Sequence, residues 1–275
     1  MKTIQKTAIS AAAVALLTGL GSSAAFAADE PAAEVEVSPI TANVSLVSDY
    51  RYRGISQSNL RPAIQGGFDY AHESGFYIGN WNSSISWVNN LSPSVASSIE
   101  MDFYAGFKKE LIAEGFASDI GVLQYYYPTS GNFVSPNVNP NTTEIYAAQN
   151  YTFGPVTGFL KFSYAVTNTF GYNQSSGSYY PDLTANYDTG IWGLAVNAHV
   201  GYQKIAGQQV VAGVPTASYT DWKLGLTKDF GGGLSLAAAY IGTNAAKSGS
   251  TYAYQSPSGK NLGGSTGVVT LTKTF

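Results

Sequence analysis

The last nine residues, 267–275 (Gly-Val-Val-Thr-Leu-Thr-Lys-Thr-Phe), constrain the fold more than any other segment. Val269, Leu271 and Phe275 fall on one face of an extended chain, and Val268, Thr270, Thr272 and Thr274 fall on the other. A period of two describes a strand whose two faces meet different surroundings. Beyond residue 27 no stretch approaches the ~18–20 consecutive apolar residues of a membrane helix.

The alternation recurs along the chain. Residues 41–54 set Val44, Leu46, Tyr50 and Tyr52 against Asn43, Ser45, Asp49, Arg51 and Arg53. Residues 62–71 set Ile64, Gly66, Phe68 and Tyr70 against Gln65 and Asp69. A strand over 76–87 has no clear facing. The cleanest case places Ile99, Met101, Phe103, Ala105 and Phe107 opposite Glu100, Asp102, Tyr104 and Lys108. Further strands are expected over 119–127, 143–153, 159–166, 180–187, 194–202, 221–227 and 234–240, with the terminal strand completing about twelve. In these, Lys161, Asp182, His199, Asp221 and Lys223 share faces with other polar residues.

The connections alternate in length. Those near 72–75, 109–116, 153–156, 188–191 and 230–233 are mostly tight. Those near 54–62, 88–97, 128–142, 167–179, 203–218 and 243–266 are longer and rich in Ser, Asn, Gly and Pro. Charged residues make up only 11% of the chain, against about 25% in ordinary soluble domains. Aromatics reach 13%. Strands with a lipid face and a water face, joined by short turns at one end and long loops at the other, describe a membrane barrel. Closure is required, because an open edge in lipid leaves backbone groups without partners. The expected fold is therefore all-β: a transmembrane antiparallel up-and-down β-barrel of about twelve strands, with both ends on one side. Tyr50, Tyr52, Trp81, Trp87, Tyr125 to Tyr127, Tyr179, Tyr180, Trp192 and Trp222 sit near strand ends, where an interfacial aromatic belt is expected.

Residues 1–27 carry a secretory signal: Lys2 and Lys6, an apolar stretch from Ala8 to Leu20, and the small-x-small site Ala25-Phe26-Ala27. Residues 28–40 read as an acidic periplasmic leader, and 41–275 as the barrel. Losing Lys2 and Lys6 takes the net charge from −3 to −5, too mild to indicate nucleic acid. There are no cysteines, so neither a disulfide framework nor a thiolate metal site is available. No cofactor is expected.

Residues 49–58 (Asp-Tyr-Arg-Tyr-Arg-Gly-Ile-Ser-Gln-Ser), 62–70 (Pro-Ala-Ile-Gln-Gly-Gly-Phe-Asp-Tyr) and 75–79 (Gly-Phe-Tyr-Ile-Gly) resemble the opening of the TorF family of porins. Further matches lie at 119–121, 125–128, 199–202, 221–225 and 239–243, so the likeness covers essentially the whole mature chain. The resemblance implies an outer-membrane barrel and a pore. The terminal strand ending on Phe275 also resembles the segment that barrel-assembly machinery reads in bacterial outer-membrane proteins. Implied partners are therefore that machinery, outer-membrane lipid with lipopolysaccharide, and small solutes.

If the facing is as read, Asp49, Asp69, Glu100, Asp102, Asp119, Glu144, Asp182 and Asp221 line the lumen with Arg51, Arg53, Lys161, Lys223 and His199. Opposed charges across a narrow lumen create a transverse field that orients polar solutes, and the acidic excess favours cations. Arg51 and Arg53, two apart on one strand, form either a constriction or an ion-pair network with neighbouring acids. Three readings follow: a narrow pore for small polar or charged solutes, a plugged structural or loop-mediated binding barrel, and an outer-membrane lipid hydrolase. The hydrolase fares worst. It needs a His beside a Ser at the lipid surface, whereas His72 lies in a tight turn and His199 on the polar face.

Overall fold

In the computed structural model the described residues are 38–91, 95–135, 137–208 and 213–275. The expected signal peptide, and the expected leader up to residue 37, lie outside them. The strands are β1 (Ile40–Val47), β2 (Arg51–Tyr52), β3 (Ile55–Ser56), β4 (Ala63–Ala71), β5 (Phe76–Ser84), β6 (Ile99–Ala113), β7 (Phe116–Tyr126) and β8 (Thr142–Phe153). The second half adds β9 (Val156–Ala165), β10 (Tyr179–Asp188), β11 (Leu194–Gln203), β12 (Tyr219–Asp229), β13 (Leu234–Thr243), β14 (Lys247–Ser248), β15 (Thr251–Tyr252) and β16 (Thr266–Thr274).

Twelve of these form a closed antiparallel barrel in the order β1-β16-β13-β12-β11-β10-β9-β8-β7-β6-β5-β4. The terminal strand closes it against β1, pairing Asn43 with Thr274 and Val47 with Thr270. Every neighbour follows in sequence apart from that closure, so the topology is up-and-down. Short turns gather at the end holding Ile40 and Phe275, and the long connections gather at the other. β14 and β15 pair within the last of these loops.

The alternation resolves into a lipid face and an inner face. Leu46, Ile64, Phe68, Phe103, Ile120, Leu160, Leu183, Leu224 and Leu271 point outward and are exposed, while Gln65, Glu100, Leu123, Ser163, Asp221 and Thr270 are buried on the inner face. The facing of β5 is also settled: Phe76 and Ile78 point out, Tyr77 and Trp81 in.

The first strand departs from expectation. It does not run to residue 54 but ends at Val47, and residues 48–62 fold into the lumen. There β2 and β3 form a small hairpin of their own, pairing Arg51 with Ser56 and Tyr52 with Ile55. Gly54 and Arg53 both adopt positive φ, at +77° and +46°, which turns the chain too sharply for continued barrel pairing. Tyr50 consequently lies inside the barrel rather than on its outer belt.

The belt needs a second correction. Trp81, Tyr125, Tyr127 and Tyr180 are also buried inside, at 2–4% exposure. Tyr126, Trp192 and Trp222 do face outward. Several inward tyrosines, Tyr77, Tyr104, Tyr146 and Tyr180 among them, lie flat across the wall because the residues beneath them are glycines. A Cβ on Gly79 would sit 2.5 Å from the Tyr104 ring, and one on Gly106 would strike the Tyr77 hydroxyl. Each ring thereby reaches an acid beyond its own strand: Tyr104 donates to Asp69 and Tyr77 to Asp119.

Candidate functional site: a latched hairpin in a charged lumen

The thirteen charged or ionisable residues expected on the lumen side all lie within the barrel. Asp49, Arg51, Asp69, Glu100, Asp102, Asp119, Glu144, Lys161, Asp221 and Lys223 are buried, and Arg53, Asp182 and His199 are half-buried. Three groupings result.

The first is the latch of the 48–62 hairpin. Arg51 and Arg53 do not point the same way from one strand. Arg51 donates from Nε to Asp49 Oδ2 at 2.6 Å, and from an Nη to the carbonyls of Gly54, Leu262 and Gly264, so it ties the hairpin base to the last outer loop. Arg53, at the tip, crosses the lumen to Glu144 on β8, with two nitrogen–oxygen distances of 3.0 and 2.7 Å. It also donates to Gln203 on β11 at 2.6 Å. Its guanidinium lies 4.1 Å from the centre of the Tyr180 ring, a cation–π contact made in a desolvated place. The hydroxyl of Tyr52 is 2.6 Å from that of Tyr125, and Tyr50 donates to Glu100 at 2.5 Å. Tyr127 supplies a second donor to Glu100 at 2.7 Å. The tip thus reaches β7, β8 and β11 through side chains, and the base reaches β6.

The second grouping is an acidic wall. Asp69, Glu100 and Asp119 on β4, β6 and β7 accept hydrogen bonds from tyrosines, Asp102 on β6 takes none from them, and among the described residues none of the four pairs directly with Lys or Arg. Asp102 Oδ1 is buried without any partner. Lys161 lies 3.9 Å from the centre of the Tyr146 ring rather than in an ion pair.

The third is the His199 cluster. Nδ1 of His199 is 2.9 Å from Asp182 and Nε2 is 2.8 Å from Asp221. Tyr180 also donates to Asp221 at 2.8 Å. Two carboxylates on the two ring nitrogens call for a donor at each, which is the imidazolium form. Such a ring has no free nitrogen to take a proton from a hydroxyl, and Thr184 beside it donates to Asp182 instead. A hydrolytic arrangement needs the opposite.

Between the hairpin and these groups a cavity of about 60 Å³ remains, walled by Arg53, Lys161, His199, Asp182 and Lys223 among others. That accommodates a few waters, each needing on the order of 10–15 Å³. Above the hairpin the outer loops enclose a wider cup of about 270 Å³. Sequence reading placed the charged residues on the inner side but missed the hairpin's inward course, the tyrosine–acid pairs and this cup. The one local signal was Arg53-Gly54, where a glycine could interrupt a strand.

Among solved structures, the chain is similar to a KdgM porin in complex with disordered oligogalacturonate, at 8% identity over 86% of this chain and 97% of that one, with a TM-score of 0.48. It is similar to an outer-membrane channel from Pseudomonas putida F1 at 13% identity, over 90% and 100% of the two chains, with a TM-score of 0.48. It is also similar to the outer-membrane protein OprD from Pseudomonas aeruginosa at 12% identity, over 88% and 66%, with a TM-score of 0.39. No curated protein matches the sequence. Residues 28–275 match the model of Gcw_chp, described as a bacterial protein of unknown function, and the chain belongs to that family.

Proposed function

We propose that this protein is an outer-membrane pore for passive diffusion of small polar or charged solutes, constricted by its own first outer loop. The observation that carries the reading is a closed barrel whose outward side chains are apolar and whose inner side chains are charged, with the constricting tip held across the lumen by side chains. An apolar exterior suits lipid, and buried charges of both signs suit a conduit that substitutes for the hydration of a passing ion. The resemblance of residues 49–87 to the TorF porins supports the same reading. Export by a leader cleaved after Ala27, a periplasmic segment over 28–40, contacts with lipopolysaccharide and recognition of the Phe275 end by assembly machinery belong to this proposal. So does the pore-lining role of the charged residues.

The test is single-channel recording from refolded mature protein in a planar bilayer with a salt gradient. Discrete steps with a cation-leaning reversal potential are expected. Silence from demonstrably folded, inserted protein overturns the pore. The small cavity beneath the hairpin favours a second reading, a plugged structural barrel that acts through its outer loops. That barrel conducts nothing even when the latch is weakened, which separates the two.

A further inference from the structure

The cup above the hairpin differs in chemistry from the lumen below. Its floor is the hairpin itself, through Tyr52, Ile55 and Gln57, and its wall comes mostly from the outer loops. Among the described residues no Asp, Glu, Lys, Arg or His contributes to the lining, although the chamber directly beneath is lined by Asp, Lys, Arg and His. The wall is aromatic instead, with Trp87, Phe170, Tyr172, Tyr219 and Tyr254. Edge contacts fix several of these rings: Tyr219 meets Tyr254 at 5.2 Å between centres, and Trp87 meets Tyr127 at 5.3 Å. Fixed rings present their faces without a further loss of side-chain freedom on binding.

Spare hydrogen-bonding capacity sits among the rings. Asn137 uses its Nδ2 on the Leu91 carbonyl and Gln57 its Nε2 on the Ile55 carbonyl, leaving both amide oxygens without a protein partner among the described residues. Gln255 accepts from the Tyr252 amide and keeps its Nε2 donor uncommitted. The Tyr254 hydroxyl donates to the Ala217 carbonyl at 2.7 Å, and burial raises the Tyr172 and Tyr254 phenols above their usual range, so the wall stays neutral through ordinary pH.

We infer that the cup is a binding site for a small neutral saccharide. The axial C–H groups of a pyranose carry slight positive charge and pack on the negative faces of aromatic rings. Its hydroxyls both donate and accept, matching the Gln255 donor and the Gln57 and Asn137 acceptors. A charged sugar would lose hydration here with no counter-charge to replace it. A plain aromatic would leave the amides unanswered. The volume, at the lower edge of ordinary ligand pockets, suits one or two rings. The inference rests on the pore reading only in taking the bound sugar as a solute to be passed.

Binding is measured by calorimetry on the refolded full barrel in detergent, with glucose and maltose as probes, glucuronate as the charged counterpart and p-cresol as the neutral aromatic. Saturable binding of a neutral sugar is expected, with a dissociation constant on the order of 1 mM for a ligand of this size. Tyr172→Ala is expected to weaken it about tenfold, from the lost ring face. Trp87→Ala, which removes a second ring from the wall, and Gln255→Ala at an exposed loop position, are each expected to weaken it several-fold. Absence of saturation by glucose and maltose, or equal binding of glucuronate, or binding of p-cresol alone, overturns the inference. Added maltose should also interrupt the single-channel current. A silent barrel that still binds maltose sinks only the pore, and a conducting barrel that binds neither sugar sinks only the saccharide site.

Discussion

Removing the Arg53 side chain tests the latch most directly. Its guanidinium pairs with Glu144 at 2.7 Å, and the two side chains are only 7% and 2% exposed, so solvent screens the pair little. Arg53→Ala leaves Glu144 as a buried carboxylate with one remaining donor, Tyr125, at a long 3.4 Å. Breaking a buried pair from one side costs about 3–5 kcal/mol, and the contact with Tyr180 adds to this. Hairpin displacement recovers that cost by letting water reach Glu144. A difference of about 4 kcal/mol shifts the ratio of displaced to seated hairpin by about a thousandfold. Tyr50 with Glu100, and Arg51 with Asp49, keep the base in place, so the tip alone moves. In planar bilayers Arg53→Ala should show a larger unitary conductance, or a far greater open fraction, than the parent protein. Glu144→Gln added to Arg53→Ala should restore part of the stability, since it removes the orphaned charge. The two changes should be non-additive by 0.5–3 kcal/mol on the usual scale of coupled pairs. Identical conductance, open fraction and unfolding midpoint in correctly folded Arg53→Ala would refute the claim that this contact seats the hairpin.

Other outcomes follow from the same contacts. His199→Leu strands Asp182 and Asp221 without their shared cation, so the urea unfolding midpoint of the barrel should fall by the equivalent of about 3–5 kcal/mol. Lys161→Ala combined with Lys223→Ala strips two inner cations, and the reversal potential under a salt gradient should move toward cations, with Asp102→Asn moving it back. Gly106→Ala sets a methyl group against the Tyr77 hydroxyl and the Ile120 carbonyl, an overpacking worth about 1–3 kcal/mol by denaturant titration. Gly267→Ala, where an added Cβ meets nothing within 4 Å, should leave that midpoint almost unchanged.

The strand count, the facing of β4, β6, β9, β12 and β16, and the alternation of short and long connections were legible because each depends on neighbours two residues apart. Val269 and Thr270 declare their faces whatever the rest of the chain does, since a slip by one residue would put Thr in lipid and Val in the lumen. The same rule failed from Asp49 onward. Tyr50 and Tyr52 kept the strand pattern, yet the chain left the wall after Val47. What draws it inward are Glu100, Glu144 and Gln203, the last two 91 and 150 residues from Arg53 along the chain. The belt was misread for a related reason: a Tyr hydroxyl is satisfied equally by headgroup water and by an inner partner, as Tyr50 and Tyr127 are by Glu100 and Tyr180 by Asp221, and only the tertiary structure reveals which. The sequence by itself therefore determined a closed two-faced barrel, because local alternation sorts side chains between lipid and water. Only the tertiary structure decided that the lumen is latched and capped by an uncharged cup, because those features rest on contacts between residues that share no local pattern.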